Sequence, residues 1–336
     1  EIELFKELRE WILEFLGSLQ ATTMAISRID AISSLAEVSQ ANNYVRPEMS
    51  DDGTLSISDG RHPVIEVLRE GQYIPNNLQL DNQQRQLMIL TGPNMGGKST
   101  YMRQTALICV MAQAGCFVPA SSARLGMVDR VFTRVGAHDD LVHGHSTFMV
   151  EMLELANILR NATPNSLVLL DEIGRGTSTF DGLALAWAVS EELHAGKGVK
   201  TLFATHYHQL TDVAKILDRS VNCHMQAKED GHELTLLHRV AEGPTDASFG
   251  IHVAKMAGVP DEVLVRARKV LNNLEEGSTI EVSKTGPVQS VFSTDFGARS
   301  QTKENPIVDE IRKMDLMNLT PLQALEKLHD IQQKLL

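Results

Sequence analysis

Residues 92–99 read Gly92-Pro93-Asn94-Met95-Gly96-Gly97-Lys98-Ser99, which matches the pattern G-x-x-x-x-G-K-[ST]. Glycines in such a loop let backbone N–H groups converge on phosphate oxygens without a clash from a Cβ atom. In this pattern Lys98 is expected to reach the β- and γ-phosphates of a nucleotide, and the Ser99 hydroxyl to coordinate Mg²⁺. The stretch therefore predicts a phosphate-binding loop (P-loop).

The residues on either side of this stretch support that interpretation. An apolar run, Leu87–Leu90, leads into the loop, and a helix is predicted from Ser99 to Ala114. The positive N-terminus of that helix would point at the same anion. A chance glycine-rich turn would satisfy the pattern but would not need a strand before it and a helix after it.

A second half of the site is predicted where another apolar run ends. Leu167–Leu170 are four aliphatic residues, and Asp171 and Glu172 follow directly. Asp171 would hold the Mg²⁺ shell, directly or through water, and Glu172 would orient or deprotonate the attacking water. Exposed acids at a strand end are common, so the pair is informative mainly in combination with the upstream P-loop.

Three further features fit a subset of P-loop ATPases. His206 follows the strand predicted at Thr201–Ala204 and could sense a γ-phosphate, although most strand-end histidines are structural. Ser146–Met152 opens a helix with Ser or Thr as its cap, and the residues alone favour an ordinary capped helix. A polar, glycine-rich loop, Gly174–Gly182, follows the two acids. His208 is interpreted as structural.

Apolar runs alternate with helical patterns along the chain, which predicts an α/β fold with a mostly parallel sheet covered on both faces by helices. The predicted strands are Leu55–Ile57, Val64–Val67, Leu87–Leu90, Leu167–Leu170 and Thr201–Ala204, and the predicted helices lie at 4–38, 99–114, 183–194 and 260–275.

The C-terminal region differs in composition. Residues 277–304 are rich in Gly, Ser, Thr, Lys and Pro and predict a flexible linker. Residues 305–336 predict two short helices; Thr320 suits an N-cap and Pro321 the first helical position. Their apolar stripe needs a partner surface, either a second copy of itself or its own domain.

Composition limits the class of protein. The chain has 336 residues, 43% of them hydrophobic, and a net charge of −12, which argues against a surface that grips DNA throughout. No apolar run is long enough to span a bilayer. Residue 1 is Glu, and the first residues contain no initiator Met, basic leader or apolar signal core, so we expect an internal segment of a cytoplasmic protein. Cys109, Cys116 and Cys223 are too few for a disulfide framework and are expected to be buried and reduced.

Five runs in the chain resemble the MutS family of DNA mismatch-repair ATPases. They are Thr91–Gln104, Ser146–Met152, Asp171–Gly182, Ala204–Tyr207 and Ser248–Ala254 followed by Ala257–Pro260. The resemblance extends from about residue 55 to 275, and Asn94-Met95-Gly96 inside the P-loop is much more specific than the generic pattern.

The resemblance implies a P-loop NTPase fold of the ABC-ATPase type with helical N- and C-terminal appendages. Residues 1–45 are similar to helices returning from the family's lever arms, residues 46–242 to its ATPase domain, 243–276 to its helix-turn-helix dimerisation segment, and 305–336 to its C-terminal oligomerisation tail. ATP and Mg²⁺ are the implied cofactors. The implied nucleotide contacts are Gly92, Pro93, Asn94, Met95, Gly96, Gly97, Lys98, Ser99 and Thr100, with Tyr73 and His238 enclosing the adenine ring.

Family members act as dimers, so the resemblance also implies composite ATP sites. Ser146 and the loop Gly174–Gly182 would then face the other subunit's nucleotide, giving Ser146 a catalytic role beside Glu172 and His206. The implied partners are a homodimer or tail-linked tetramer, mismatched double-stranded DNA bound by the full-length protein, and a MutL-type protein. The family's mismatch-reading Phe-x-Glu domain is absent from the chain, so we do not expect this segment alone to recognise a mismatch.

Other interpretations stay open at this point. A chromosome-maintenance or transporter ATPase would share the P-loop, but the Asn94-Met95 pair and Ser146–Met152 disfavour the transporter. A dimerisation and partner-binding module with little turnover is also compatible with the sequence. His138, His143 and His145 could suggest a metal site, but their spacing in a polar loop without nearby cysteine does not favour one.

Overall fold

The computed structural model describes residues 1–68, 73–134, 146–230, 233–245 and 249–275. The predicted linker and C-terminal helices lie outside these residues, as do Ser248 and the three histidines of the 138–145 segment. The chain divides into two compact units, residues 1–265 and 266–336. The site described below belongs to the first unit.

The elements follow the chain in this order. The helices are α1 (Ile2–Glu14), α2 (Leu16–Ala41), α3 (Ile65–Leu68), α4 (Lys98–Gln113), α5 (Thr147–Asn161), α6 (Thr179–Glu191), α7 (Val213–Ile216), α8 (Gly250–Met256) and α9 (Asp261–Glu275). The strands are β1 (Glu48–Ser50), β2 (Leu55–Gly60), β3 (Asn76–Leu80), β4 (Leu87–Thr91), β5 (Ser122–Gly126), β6 (Val131–Arg134), β7 (Leu167–Asp171), β8 (Lys200–Ala204), β9 (Ser220–Asp230) and β10 (Glu233–Glu242).

The larger sheet has six strands in the order β10-β9-β4-β8-β7-β6. Every neighbouring pair is parallel except the antiparallel pair β9 and β10. Because parallel strands end at the same edge, the register places the end of β8 beside the ends of both β4 and β7: Ala204 is opposite Leu90 on one side and Asp171 on the other. The predicted α/β fold with a mostly parallel sheet is confirmed.

The larger sheet has a core on each face, because alternate residues of each strand point to opposite sides. Met88 and Leu90 of β4 pack with α4 and with apolar residues of the smaller sheet described next. Leu87 and Ile89 of the same strand pack on the other face with α5 and α6. All four side chains are buried, so β4 and the loop that follows it rest on a rigid support.

A smaller sheet has four strands in the order β1-β5-β2-β3. The sequence predicted only one of them, β2, at Leu55–Ile57. In this sheet β1 and β5 are parallel, whereas β2 is antiparallel to both β3 and β5. Leu55, Ile57, Leu78 and Leu80 alternate with more exposed residues and complete the core above α4.

The strand predicted at Val64–Val67 is wrong, since helix α3 occupies Ile65–Leu68. β-Branched residues at 64, 65 and 67 favour a strand by propensity, but tertiary contacts decide otherwise. The imidazole Nδ1 of His62 accepts hydrogen bonds from the backbone N–H groups of Val64 and Ile65, both at 3.3 Å. These bonds satisfy donors at the start of the helix, as a capping side chain does.

Two helix predictions also need correction. The single helix predicted at 4–38 is two helices, α1 and α2, separated at Phe15, and neither buries a side chain. The helix predicted at 183–194 begins earlier, at Thr179, because the Ser178 hydroxyl accepts the Asp181 N–H as an N-cap. It ends at Glu191 and continues as a π-helical turn, Glu192–Gly196.

The three cysteines are free. Cys109 and Cys223 are buried as predicted, and burial raises the pKa of Cys109 to about 12 and that of Cys223 to about 11. Cys116 is only partly buried, which corrects the expectation for that residue. Among the described helices, none is long and apolar enough to cross a membrane.

Candidate active site

The loop between β4 and α4 has the backbone geometry of a phosphate-binding loop. Gly92 and Gly97 have φ values of 125° and 106°, in the left-handed region that favours glycine. A Cβ atom on Gly92 would also lie 3.0 Å from the backbone N of Met225 on β9. Gly97 is the N-cap of α4, so the positive end of this 16-residue helix lies at the loop.

Lys98 is buried at the base of the loop, with 5% of the residue exposed. Its Nζ donates to the carbonyl oxygen of Gly92 at 2.7 Å and lies 3.7 Å from Oε1 of Glu172. Burial lowers the pKa of Lys98, and the carboxylates of Glu172 and Asp171 oppose that shift. The ammonium group is therefore held within the loop by carbonyl and carboxylate oxygens.

Ser99 and Asp171 meet across the sheet edge. Ser99 Oγ donates to Asp171 Oδ2 at 2.5 Å. Asp171 Oδ1 is buried and accepts no hydrogen bond from the described residues. A buried carboxylate oxygen without a donor needs another partner, and oxygen ligands of this kind suit a hard divalent cation such as Mg²⁺. The two side chains therefore fit a magnesium site.

Glu172 lies one residue beyond β7, in an unusual backbone conformation. Its φ is 57°, and its N–H donates to the carbonyl of Ala204 at 2.9 Å. The carboxylate lies between two cations: Oε2 is 2.6 Å from Arg175 Nη1, and Oε1 faces Lys98. A non-glycine residue in the left-handed region persists where surrounding contacts hold it, and such residues concentrate at functional sites.

His206 follows β8 and therefore lies at the sheet edge that carries Asp171. The residue is exposed, and its ring packs on that of Tyr207 with centroids 4.2 Å apart. Partial desolvation, followed by the positive charges of Arg175 and Lys98, lowers the pKa of His206. The neutral imidazole is favoured at neutral pH, where it can donate or accept one hydrogen bond.

Beside the P-loop lies a cavity of about 230 Å³. Its lining includes Tyr73 and His238, together with Gly97 and Thr100 of the P-loop and the start of α4. The two rings predicted to enclose the adenine are therefore in one cavity, next to the loop predicted to hold the phosphates. An aromatic face is a suitable platform for a flat base.

Two residues that the sequence did not single out contact Tyr73 and His238: Asn76 bonds the backbone of His238, and Gln104 bonds the hydroxyl of Tyr73. Asn76 bridges to a bulge in β10: its Nδ2 donates to the His238 carbonyl at 2.9 Å and its Oδ1 accepts the Val240 N–H at 2.7 Å. Gln104 on α4 is 1% exposed and accepts the Tyr73 hydroxyl at 2.8 Å. Gln104 lies in the run Thr91–Gln104, but its partner Tyr73 is 31 residues away in the sequence, so no local pattern predicts the contact.

Comparison with known proteins identifies the family to which this site belongs. The family model for MutS domain V matches residues 88–275. Proteins named DNA mismatch repair protein MutS match the whole chain or nearly all of it: that of Methanosarcina mazei is 49% identical over 100% of the chain, that of Methanococcoides burtonii 50% over 99%, and that of Listeria monocytogenes 44% over 100%. The chain belongs to the MutS family.

Membership of the MutS family agrees with the site and confirms the resemblance seen in the sequence. Domain V is the ATPase domain of these mismatch-repair proteins, so the chain is a nucleotide-binding ATPase domain of the P-loop class. The chain spans about two fifths of the length of the MutS relatives, 39% of the two archaeal proteins and 40% of the Listeria protein. The domain V match also includes the described helices α8 and α9, in the segment predicted as helix-turn-helix.

Ser146 occupies a different position from the residues above. It is the exposed N-cap of α5, and its Oγ accepts the Met149 N–H at 3.2 Å. Phe148, in the first turn of α5, packs against the loop that follows Glu172, because a Cβ atom on Gly176 would lie 2.7 Å from the Phe148 Cβ. The two elements predicted to face a partner's nucleotide are thus packed together.

His208, interpreted as structural, has Nδ1 3.0 Å from the Thr245 carbonyl oxygen.

Proposed function

We propose that this domain binds Mg-ATP in the cavity and P-loop described above and hydrolyses it with Glu172 as the base. The observation that carries the proposal is the convergence of Lys98, Ser99, Asp171 and Glu172 at the ends of β4 and β7. Each has the chemistry that one step of phosphoryl transfer to water requires. Ser99 is paired with Asp171 at 2.5 Å, and Lys98 lies 3.7 Å from Glu172.

Binding is assigned to the P-loop. Backbone N–H groups of Gly92–Ser99 and the N-terminus of α4 would surround the phosphates, with Pro93, Asn94, Met95 and Gly96 shaping the loop. Lys98 would exchange its contact with the Gly92 carbonyl for the β- and γ-phosphate oxygens. Tyr73 and His238 would hold the adenine between their rings, with Thr100 beside them.

Metal binding is assigned to Ser99 and Asp171. Ser99 Oγ and Asp171 Oδ1, which accepts no hydrogen bond from the part of the chain that the structure describes, would hold Mg²⁺, which supplies positive charge against the phosphate oxygens. The hydrogen bond between Ser99 and Asp171 would then give way to two metal ligands.

Water activation is assigned to Glu172, and γ-phosphate contact to His206. To act as a base, the Glu172 carboxylate must leave the ion pair with Arg175, since a carboxylate neutralised by two cations is a weak proton acceptor. Arg175 belongs to the loop implied to reach across a dimer interface. Closure of a dimer would draw Arg175 away from Glu172 and bring Ser146 to the partner's nucleotide.

In the full-length protein, we propose that ATP turnover in paired domains is coupled to binding of mismatched double-stranded DNA, formation of a sliding clamp and recruitment of a MutL-type partner. Helices α8 and α9 and the 305–336 segment would mediate pairing, with the latter linking dimers into tetramers. The free cysteines suit the reducing cytoplasm, where such a protein meets chromosomal DNA.

If each ATP site is shared between two chains, we expect two variants that are inactive alone to recover ATPase activity when they are mixed. Lys98→Met removes the nucleotide site of its own chain but leaves Ser146 intact. Ser146→Asp retains an N-cap for α5 and places a negative charge against the partner's phosphates. With random pairing, an equal mixture should recover roughly one quarter of the wild-type ATPase rate per chain, because half of the dimers carry one complete site.

Ser146→Thr is the matched control for this experiment, since it keeps both the cap and the hydroxyl, and it should hydrolyse ATP at a near wild-type rate. A mixture no more active than the two variants measured separately would mean that Ser146 does not complete the partner's site. A mixture and wild type that both bind ATP without turnover would identify the isolated domain as a pairing module.

Tyr73→Ala is expected to weaken ATP binding about tenfold, because stacking of one base on an aromatic side chain contributes about 1–3 kcal/mol. Tyr73→Phe keeps the ring and loses the hydrogen bond to Gln104, so its affinity should stay within about threefold of wild type. Equilibrium titration with ATP and with inorganic tripolyphosphate separates the two halves of the site. If Tyr73→Ala weakened tripolyphosphate equally, the cavity would not be the base site.

A further inference from the structure

One buried carboxylate beside the site has no role in the chemistry proposed above. Glu151 lies on α5, five residues after Ser146, and is 5% exposed. Its Oε1 accepts the backbone N–H of Gly174 at 2.5 Å, and its Oε2 lies 3.8 Å from Arg134 Nη2. A carboxylate is rarely buried without specific partners, and here one of them is a backbone group two residues after Glu172.

The peptide that Glu151 contacts is also held closely by other neighbours. Gly174 has a φ of 89°, and a Cβ atom on it would lie 2.5 Å from the backbone of Gly182. The Gly174 carbonyl accepts the hydroxyl of Tyr207 at 3.1 Å. Burial, and then the charge of Glu151, raise the pKa of Tyr207, which keeps the hydroxyl protonated as a donor.

Glu151 of α5 thus holds the N–H of Gly174, and Tyr207, the residue next to His206, holds its C=O. Between Gly174 and Glu172 lies only Ile173, which is 1% exposed in the core. Glu172 has an unfavourable positive φ, which persists only where surrounding contacts hold the backbone. The contacts that hold Gly174 supply this constraint on the C-terminal side of Glu172.

We propose that Glu151 is a positioning residue that sets the conformation of Glu172 from α5, the helix that begins with Ser146. Glu151 touches the Gly174 peptide; Phe148 touches Gly176 from the same helix. A displacement of the N-terminal turn of α5 therefore displaces the segment that carries Glu172 and Arg175. This inference rests on the proposed role of Glu172 and adds a route by which contact at Ser146 reaches the base.

The test measures kcat and KM for Mg-ATP on the whole chain. Glu151→Ala should lower kcat at least about tenfold and leave KM within about threefold, because it disturbs the base and not the P-loop. Glu151→Gln should recover much of the loss, since its amide oxygen can still accept the Gly174 N–H. Glu154→Ala is the matched control. Glu154 is an exposed residue three positions later on the same helix and pairs with Arg134 at 2.9 Å, and its loss should leave kcat unchanged.

A second measurement does not depend on turnover. Hydrogen exchange of the peptide covering residues 172–178 should accelerate in Glu151→Ala, be close to wild type in Glu151→Gln, and be unchanged in Glu154→Ala. Tyr207→Phe, which removes only the second contact to Gly174, should also accelerate it.

Glu172→Gln, measured alongside, separates the two claims. If it hydrolyses ATP like wild type, the proposed function is wrong about the base. If it is inactive while Glu151→Ala keeps wild-type kcat and wild-type exchange, the positioning role is overturned and the assignment of Glu172 stands. Should Glu151→Ala fail to fold, Glu151→Met replaces it, because methionine fills the site and has no oxygen to accept the Gly174 N–H. Slow exchange and wild-type kcat in Glu151→Met would equally overturn the role.

Discussion

Replacement of Lys98 by methionine is expected to weaken binding of Mg-ATP about a hundredfold or more. Lys98 is the cation whose Nζ lies within the P-loop, and charge-assisted hydrogen bonds to phosphate oxygens each contribute about 1.5–3 kcal/mol, or roughly one to two orders of magnitude in affinity. Titration calorimetry, or the shift in melting temperature on adding Mg-ATP, measures the loss.

Methionine is the informative substitution because it fills the volume of the buried lysine stem. Burial lowers the pKa of Lys98, so the desolvation cost of its charge offsets part of what its contacts with Gly92 and Glu172 contribute. The nucleotide-free domain should therefore unfold within a few degrees of the wild-type temperature. Lys215→Met, in an exposed ion pair with Asp212, is the control and should bind ATP normally. Affinity within threefold of wild type in Lys98→Met would remove Lys98 from the phosphate site.

Glu172→Gln is expected to slow hydrolysis by about two to four orders of magnitude, the usual contribution of a general base. Its ATP affinity should stay within about threefold of wild type or increase, because the change removes a negative charge 3.7 Å from Lys98 and close to the expected γ-phosphate. The amide has the same shape as the carboxylate, so the fold should not change. Single-turnover phosphate release and equilibrium binding, measured on the same preparation, separate the two effects.

Glu191→Gln is the matched control, since Glu191 is exposed on α6 and the amide oxygen can still accept the Trp187 N–H. It should hydrolyse ATP at the wild-type rate. Wild-type hydrolysis by Glu172→Gln would instead mean that another group activates the water, and the two-cation environment of Glu172 would then be structural.

The three central strands of the larger sheet, β4, β8 and β7, could be predicted because they carry their own signals, whereas β6, β9 and β10 were not predicted. Leu87–Leu90 and Leu167–Leu170 are buried on both faces, and a strand covered on both sides must be apolar at every position. The P-loop follows the first run directly, and Asp171 follows the second. Because parallel strands end at the same edge of a sheet, the sequence could also predict that the P-loop and Asp171 lie close together.

The smaller sheet could not be predicted in the same way. Its strands are only three to six residues long, and β1 buries none of its residues, so they are too short for a reliable pattern of alternation. Helix α3 was missed for a related reason, since its conformation depends on the His62 side chain and not on the intrinsic preference of its β-branched residues.

The supporting residues of the site were the least predictable. Asn76 contacts His238 across 162 residues of sequence, and Glu151 contacts Gly174 across 23. Neither contact has a local pattern, because each depends on how separate elements pack. Tyr73 and His238 were named only through resemblance to the MutS family, and their position in one cavity supports, without testing, their role as base-binding residues.

We propose that this domain hydrolyses Mg-ATP with Glu172 at a site completed by a second copy. The decisive experiment is steady-state phosphate release by the wild-type chain and by Glu172→Gln over a wide range of protein concentration. We expect a wild-type rate per chain that rises with concentration to a plateau, and a Glu172→Gln rate near zero throughout. A wild-type rate per chain that is independent of concentration would exclude a site shared between two copies, and a Glu172→Gln curve that follows the wild-type curve would exclude Glu172 as the base.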